Sequence, residues 1–465
     1  MKVELFIKKM KEYLLPQAAI DSFAYYYSLF VNGNTGFIPE NKIIPVQKDE
    51  IDRLADLNHY YNTGNKSLES TVIIKLNGGL GTTMGLKGPK SLIPVKNSLH
   101  FLDITALQIR KLNSGNRSRI PLLLMNSFKT ENECCSELQK YPDIRTDLPV
   151  SFIQHKFPRI DVSTLAPVIY PRNPLLEWNP PGHGDLYTAL LTSGILEILL
   201  EKGYKYAFVS NIDNLGASLD SSILGYFAEN DFSFLMEVTD RTCMDRKGGH
   251  LARLNDGRLI LREAAQCPDE EMDQFKDISR HCYFNTNNLW INLLSLYDLL
   301  NHKNSILELP MIRNRKRIDP SSSDSPEVFQ LESAMGSAIS VFENAAALRV
   351  PRSRFTPVKN CEELLLLWSD NYLLTDNYKI VLNPERKSSH VQINLDPLHY
   401  SRIDLLNERF PFGAPSLLEC DSLTLKGDIR FGKNVRIIGN ISISNSNSKP
   451  IFIKDNSVID NDITN

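Results

Sequence analysis

The chain reads as an α/β protein: a central sheet, mixed but mainly parallel, flanked by helices, with a short β-helical piece at the C-terminal end. Three observations predict this. From Thr71 to about Lys387, strand-like apolar runs alternate with helical runs, the pattern of a layered α/β fold. The first of those runs, Thr71 to Leu76, breaks into a loop punctuated by Gly78, Gly79, Gly81, Gly85 and Gly88, as a strand feeding a phosphate site does. After about Glu408, isolated apolar residues recur at short intervals with Gly427, Gly432 and Gly439 between them, the rhythm of stacked β coils.

Taken in order, residues 1–70 form a helical appendage. Val3, Phe6, Met10, Tyr13 and Leu14, then Ile20, Phe23, Tyr27 and Phe30, follow helical spacing, and the polar stretch NHYYNTGNKSLES at 58–70 closes the segment as a connection. Residues 71–387 form the main α/β domain, with strands expected at 71–76, 120–126, 150–155, 205–210, 232–238 and 258–263 and helices at 101–113, 183–202, 289–301 and 361–374. Residues 388–465 supply a linker and the β-helical domain, its Asn/Ser run at 444–448 forming a protruding turn. An array so short has an open end that either caps itself or meets another chain, so a homo-oligomer through this domain is expected.

Composition excludes several function classes. With 42% hydrophobic and 23% charged residues over 465 positions, the chain has ample core for two or three globular domains. A net charge of −3 lacks the basic excess of a nucleic-acid binder. The longest apolar runs, Leu364 to Trp368 and Ile120 to Met125, fall far short of a membrane span, and MKVELFIKKMKEY is no signal sequence. Seven cysteines without a C-x-x-C argue against a disulfide framework or structural zinc, so a cytoplasmic protein is expected. Adjacent Cys134 and Cys135 are read as ordinary small thiols.

Three phosphate-loop grammars compete for Thr71 to Lys90, TVIIKLNGGLGTTMGLKGPK. No register gives the Gly-Lys-Ser/Thr of a Walker loop. In a dinucleotide fingerprint starting at Gly79 and Gly81 the third glycine position falls on Met84, which weakens an oxidoreductase reading. Gly-x-Gly-Thr followed by Pro-Lys is filled by Gly79, Gly81, Thr82, Pro89 and Lys90. That third grammar is similar to that of sugar-nucleotide pyrophosphorylases.

Further blocks follow in order: NSFKTE at 126–131, IQHKFPRI at 153–160, WNPPGHGDLY at 178–187, FVSNIDNLGA at 208–217, KGGHL at 247–251, FNTNNLWI at 284–291, QLESAMGSAI at 330–339 and VPRSRFTPVK at 350–359. With the loop, they make the sequence resemble the eukaryotic-type UTP:glucose-1-phosphate uridylyltransferases, or UDP-glucose pyrophosphorylases, over roughly residues 70–440. The resemblance implies a Rossmann-like nucleotide-diphospho-sugar transferase domain and a left-handed C-terminal β-helix. It also implies a reaction: a phosphate oxygen of glucose 1-phosphate attacks the α-phosphorus of UTP, giving UDP-glucose and pyrophosphate without a covalent enzyme intermediate. Such a site must position two anions and neutralise developing charge.

Carried over residue by residue, the resemblance assigns Lys90 and Lys359 to the UTP phosphates as the catalytic cations. Leu76, Asn77, Gly78 and Gly79, through their backbone, with Gln154 and Gly182, would receive the uracil. His183 and Asn211 would meet the sugar phosphate, and Gly249, Glu263, Asn285 and Asn287 the hexose. Asp213 follows an apolar run at a strand end, where one carboxylate suffices to share Mg²⁺ with phosphate oxygens and UTP. Thr83 stands where most other pyrophosphorylase branches carry Arg, which shifts the burden to Lys90 and Lys359. Arg352 and Arg354 are candidates for structural ion pairs. The rival readings are a related UDP-sugar or UDP-N-acetylhexosamine pyrophosphorylase, whose typical loop differs from LNGGLGTTMG, and a catalytically inactive nucleotide-sugar-binding scaffold, against which Lys90, Asp213 and Lys359 together argue.

Overall fold

Strand alternation decides the layers. In the computed structural model, Val72 and Ile74 point to one face of the central sheet and Ile73 to the other, all buried, as expected of a strand covered on both sides. The structure describes residues 2–465 except 87, 116–118, 243, 244, 246, 247, 321, 323 and 387–390, and leaves out the Thr83 side chain. The domain boundary expected at 387 and Lys247 of the KGGHL run therefore lie outside the described residues.

The sheet contains β1 (Ile43–Pro45), β2 (Thr71–Asn77), β3 (Leu122–Asn126), β4 (Ser151–Ile153), β5 (Tyr206–Asn211), β6 (Phe234–Asp240), β7 (His250–Leu254), β8 (Leu259–Arg262), β9 (Tyr283–Asn292) and β10 (Ala345–Arg349). Its main path runs β1-β7-β9-β5-β2-β3-β4, with β8 on β7 and with β6 joining β9 to β10. Pairing is parallel for β5–β2, β2–β3, β3–β4 and β6–β10. It is antiparallel wherever β9 or β7 takes part. The sheet is thus mixed, with a parallel half carrying the glycine loop and an antiparallel half, and not mainly parallel. The cause is the ten-residue β9, which returns against β5 and β6 without a crossover helix.

The helices that cover the sheet or flank the site are α3 (Phe101–Asn113), α4 (Leu186–Thr192), α5 (Ile195–Glu201), α6 (Ser221–Glu229), α7 (Leu293–His302) and α8 (Cys361–Trp368); α1 (Lys2–Glu12) and α2 (Gln17–Val31) precede them. Leu186, Leu190, Leu196, Leu199, Leu293 and Leu296 cover the Val72 and Ile74 face. Leu102, Ala106, Ile109, Ile223 and Phe227 cover the Ile73 face. The N-terminal α1 and α2 bury Phe6, Met10, Phe23 and Tyr27 against Phe157, Trp178, Met311 and Leu331.

Three expected helices differ. The run 183–202 is a short 3-10 turn followed by α4 and α5, broken at Gly194, whose φ is +71°. The run 289–301 begins as strand: Leu289 to Asn292 pair with Val209 to Tyr206, and the Asn292 carboxamide then caps α7 by accepting from Leu294 and Ser295 amides. The run 361–374 is helical only to Trp368, after which Tyr372–Leu374 pairs with Ile380–Leu382.

At the C-terminal end, Gln392–Leu395, Ser416–Lys426 and Arg436–Ser444 pair in parallel, and Val458–Ile459 continues the stack. A second stack joins Ile429–Phe431 to Ile451–Ile453. The coils therefore begin at 392, earlier than the change in text near Glu408. Their buried Leu423, Leu425, Ile441 and Ile443 share one apolar cluster with Met84, Ile93, Val95 and Val358, so the glycine loop rests partly on this end of the chain. Asn445 turns inward, donating to the Asp428 and Lys449 carbonyls at 2.9 and 2.8 Å, and only Ser446, Asn447 and Ser448 protrude with their side chains exposed.

Candidate active site

Four parallel strands, β2, β3, β4 and β5, end on the same side, and the candidate residues follow them, as ligands do at the carboxyl ends of open α/β sheets. Beyond β2 the chain folds back on itself: the Lys90 amide donates to the Gly79 carbonyl at 3.1 Å and Leu80 bridges Pro89. A Cβ on Gly79 would meet nothing within 4 Å, so the loop's backbone is open to an approaching group. This fold-back brings Lys90 to the end of β5, where its ammonium forms an ion pair with the Asp213 carboxylate.

Leu76 and Asn77 are paired in the sheet, Leu76 with Asn211 and Met125 and Asn77 with Asn126. The Leu76 carbonyl accepts from the Ile212 amide at 3.2 Å. The Asn77 side chain is buried and donates to Asn126 Oδ1 at 2.7 Å, while its carbonyl accepts from Thr130. Gln154, just past β4, lies against Gly78: a Cβ there would stand 2.6 Å from Gln154 Nε2. Its carboxamide makes no hydrogen bond among the described residues. The next residue ties this edge to the following motif, since the His155 amide and Nδ1 both meet the Asp185 carboxylate, at 2.6 and 2.8 Å.

Asp185 belongs to the turn carrying Gly182 and His183. Gly182 has φ +81°, and a Cβ would approach the Ser333 carbonyl oxygen to 2.3 Å; only glycine fits both conditions. The Met335 amide donates to His183 Nδ1 at 2.9 Å. Burial pushes the His183 pKa down to about 4, so the ring is neutral near pH 7 and its proton sits on Nε2, leaving a neutral donor.

The hexose candidates also converge. The Asn285 amide donates to the Gly249 carbonyl at 3.1 Å, and a Cβ on Gly249 would stand 2.7 Å from a Glu263 oxygen. Between Asn285 and Asn288 the β9–β6 register slips, and Asn287 sits in the bulge with φ +57°, a conformation asparagine tolerates. The Asn285 and Asn287 carboxamides bond each other at 2.9 Å. Burial pushes Glu263 up to about 7, with the Lys359 charge opposing. His183 joins this cluster through its neighbour: Met335 is followed by Gly336, which abuts Asn285.

Lys359 arrives by a separate route. Asn214, next to Asp213, donates to the Arg354 carbonyl at 3.1 Å and accepts from the Thr356 amide at 2.9 Å. Lys359 then immediately precedes Asn360, the cap of α8, and its own amide donates to the Glu363 carboxylate. The Lys359 ammonium lies 5.7 Å from the ring centres of Phe284 and Phe355. Burial raises the Glu363 pKa, opposed by the Lys359 amide and by the Lys359 and Lys90 charges. The Lys359 charge thus acts on both Glu263 and Glu363, and that of Lys90 on Glu363 as well. Arg352 and Arg354 are structural: Arg352 is bidentate on Asp245, and Arg354 on buried Glu237.

Glu237 is a residue the sequence reading passed over. Fully buried, it also accepts from Trp290 Nε1 and Asn288 Nδ2, each at 3.0 Å. The signal was present, a lone Glu inside the apolar run Phe234 to Val238. Asn211, at the end of β5, pairs with Leu76 in the sheet and accepts from the Asn214 amide. For a metal, Asp213 offers one carboxylate beside the open loop, held by Lys90 rather than by a protein carboxylate cluster.

The model of the family described as UTP–glucose-1-phosphate uridylyltransferase matches residues 20–437. The chain belongs to that family. The uridylyltransferase of Solanum tuberosum is 40% identical over 438 residues, covering 93% of this chain and 89% of the potato protein. That of Encephalitozoon cuniculi is 42% identical over 416 residues, 89% of this chain and 81% of its own. The UDP-glucose pyrophosphorylase of Leishmania major, solved in open and closed structures, superposes with a TM-score of 0.93 at 41% identity, covering 100% of this chain and 99% of that one. The match to the UTP–glucose-1-phosphate uridylyltransferase family thus takes in the glycine loop, the cluster of Gly249, Glu263, Asn285 and Asn287, and the first of the C-terminal coils.

Proposed function

We infer that this protein is a nucleotidyltransferase that transfers the uridylyl group of UTP to glucose 1-phosphate, releasing UDP-glucose and pyrophosphate. The observation that carries the reading is the ion pair of Lys90 with Asp213 beside an open glycine loop, with the charges of Lys90 and Lys359 both acting on Glu363. One oxygen of the sugar phosphate forms the new bond to the α-phosphorus, and the bond from that phosphorus to the β-phosphate bridging oxygen breaks. Both electron pairs stay on oxygen, so no general base and no protein nucleophile are needed.

The residues have distinct tasks. Backbone N–H groups of the Gly78 and Gly79 loop meet the nucleotide, with the Gln154 carboxamide and the Gly182 backbone reading the uracil edge. Lys90 meets the UTP phosphates on binding, and Lys359 meets charge that grows on the transferring group and on the leaving pyrophosphate. His183, a neutral donor, and Asn211 orient the sugar phosphate. Gly249, Glu263, Asn285 and Asn287 orient the hexose. Asp213 fits magnesium, because one carboxylate at a phosphate site completes a shell shared with waters and substrate oxygens. When bound, that ion supplies neutralisation of the phosphate oxygens.

Three organisational readings accompany this one. Residues 1–70, 71–387 and 388–465 are taken as appendage, catalytic domain and C-terminal domain, the last a left-handed β-helix. Exposed Phe452 and Val458 near its open end suit contact with a second copy. A cytoplasmic setting agrees with the free cysteines among the described residues. No described helix is long and apolar enough to cross a membrane.

The test is pyrophosphate release from UTP with glucose 1-phosphate, galactose 1-phosphate and N-acetylglucosamine 1-phosphate in parallel. Glucose 1-phosphate is expected to give the highest kcat/KM. Preference for the N-acetylated sugar would favour the hexosamine branch, and no release with any of them would leave a binding scaffold.

A further inference from the structure

On the α3 face of the sheet, β2, β5 and α3 enclose a cavity of about 300 Å³ with Ala217 to Leu219, Asn377 and Lys379, and none of its described lining residues is itself assigned to the transfer. Ile73, Ile109 and Phe208 give it apolar walls, and none of its described lining residues is acidic. Lys111 and Lys379, both exposed, line it as well. Lys75 is different, being only 3% exposed. Its ammonium donates to Ser210 Oγ at 2.7 Å and to the Ala217 carbonyl at 2.8 Å. An ammonium has three donors; beyond these two bonds it lies 5.8 Å from the Phe208 ring centre, and no carboxylate bonds it among the described residues, the charges of Asp213 and Glu237 acting on it only from a distance.

Such a cation is costly unless an anion or further acceptors compensate it. Burial, helped by the Arg354 charge and opposed by those of Asp213 and Glu237, pulls its pKa down to about 7, as for an ammonium with no carboxylate in direct contact. Thr105, 1% exposed, lines the same cavity, and its hydroxyl has no hydrogen-bond partner among the described residues. An ammonium and a hydroxyl lining one cavity can each donate to a carboxylate oxygen, whereas a phosphate dianion asks for more donors. A volume of this size with apolar walls and few convergent polar groups is that of a small-molecule site.

We propose that this cavity binds a small amphipathic monocarboxylate, its carboxylate on Lys75 and Thr105 and its apolar body against Ile73, Ile109 and Phe208. The transfer does not use this site, and its ligand is neither nucleotide nor sugar phosphate.

The test uses the full chain with saturating UDP-glucose present and 4-phenylbutyrate as the probe, titrated calorimetrically beside its neutral counterpart 4-phenylbutyramide. Saturable binding of the acid, at least about tenfold tighter than the amide, is expected. Lys75→Met should erase that preference, and Ile109→Trp, which fills the cavity, should abolish binding of both. Equal affinity for acid and amide, no saturable binding, loss of binding when UDP-glucose is added, or an unchanged preference in Lys75→Met would each overturn the site. Should Lys75→Met fail to fold, Ile109→Trp decides: binding retained there places the probe elsewhere.

Discussion

Lys90 and Asp213, 123 residues apart in the chain, form an ion pair at the end of the parallel half of the sheet. In the proposed reaction each has another counterion waiting: phosphate for the lysine, magnesium for the carboxylate. Asp213→Asn should therefore leave the fold intact but lower the magnesium-dependent rate on the order of 10²-fold, since an amide neither neutralises nor holds the ion well. The measurement is kcat as a function of Mg²⁺ concentration. Turnover and magnesium demand close to wild type would remove Asp213 from the metal site.

Lys359→Ala should lower kcat on the order of 10²–10³-fold while changing the KM for UTP much less, because its charge is met mainly in the transition state. Lys90→Ala should change both. Steady-state kinetics with circular dichroism as a folding control separates the two. A Lys359→Ala enzyme with near-normal kcat would leave the phosphates to Lys90, the metal and the loop backbone.

Gln154 presents an uncommitted carboxamide against Gly78. Its replacement by Ala should narrow the preference for UTP over CTP, by about 1–3 kcal/mol if a uracil group is left unpaired in the complex. Competition between the two nucleotides reads this directly, and an unaltered ratio excludes the residue from base selection.

Glu263 titrates about where the enzyme would work, its pKa raised from 4.5 to about 7 by burial. Between those values the folded state holds a proton that the unfolded state has released, so this residue's contribution to stability is present below pH 4.5 and lost as pH rises through 7. Glu263→Gln removes the cost of the buried charge and should stabilise the protein at pH 8 by ~1–3 kcal/mol, with little change at pH 4.5. Thermal melts at the two pH values check the sign. A stabilisation equal at both would mean that charge is not the cause.

Gly182→Ala places a methyl group 2.3 Å from the Ser333 carbonyl in a backbone held at φ +81°. A loss of ~2 kcal/mol or more is expected, together with a weaker hold on His183. Chemical denaturation gives the first quantity and the KM for glucose 1-phosphate the second. Wild-type stability would mean that the turn relaxes freely.

Apolar periodicity and glycine spacing were enough to recover β2, β3, β5 and α3 almost to the residue, because these elements are buried on one or two faces and their pattern is local. The motif blocks likewise fixed which polar residues to watch. One error came from a long-range partner: Leu289 to Asn292 carry a helical pattern, yet β5 supplies hydrogen bonds that make them strand. Another was local: Gly194, left-handed at φ +71°, breaks a run that amphipathic spacing alone extends through 202. Asn77 was a candidate through its backbone, and only the neighbouring strand, with Asn126, shows where its side chain is engaged.

The sequence by itself determined that this is an α/β protein with a phosphate-type glycine loop, and it named the cations and the carboxylate near that loop. Tertiary structure alone decided how they meet. The 354–356 segment that leads to Lys359 is tied by Asn214 to the end of β5 and by Glu237 to the middle of β6, contacts between residues more than a hundred positions apart. It also decided that the C-terminal coils share a buried cluster with Met84. Hydrogen bonds and apolar burial act through space, so a linear pattern reports which groups seek partners, and packing decides which partners they find.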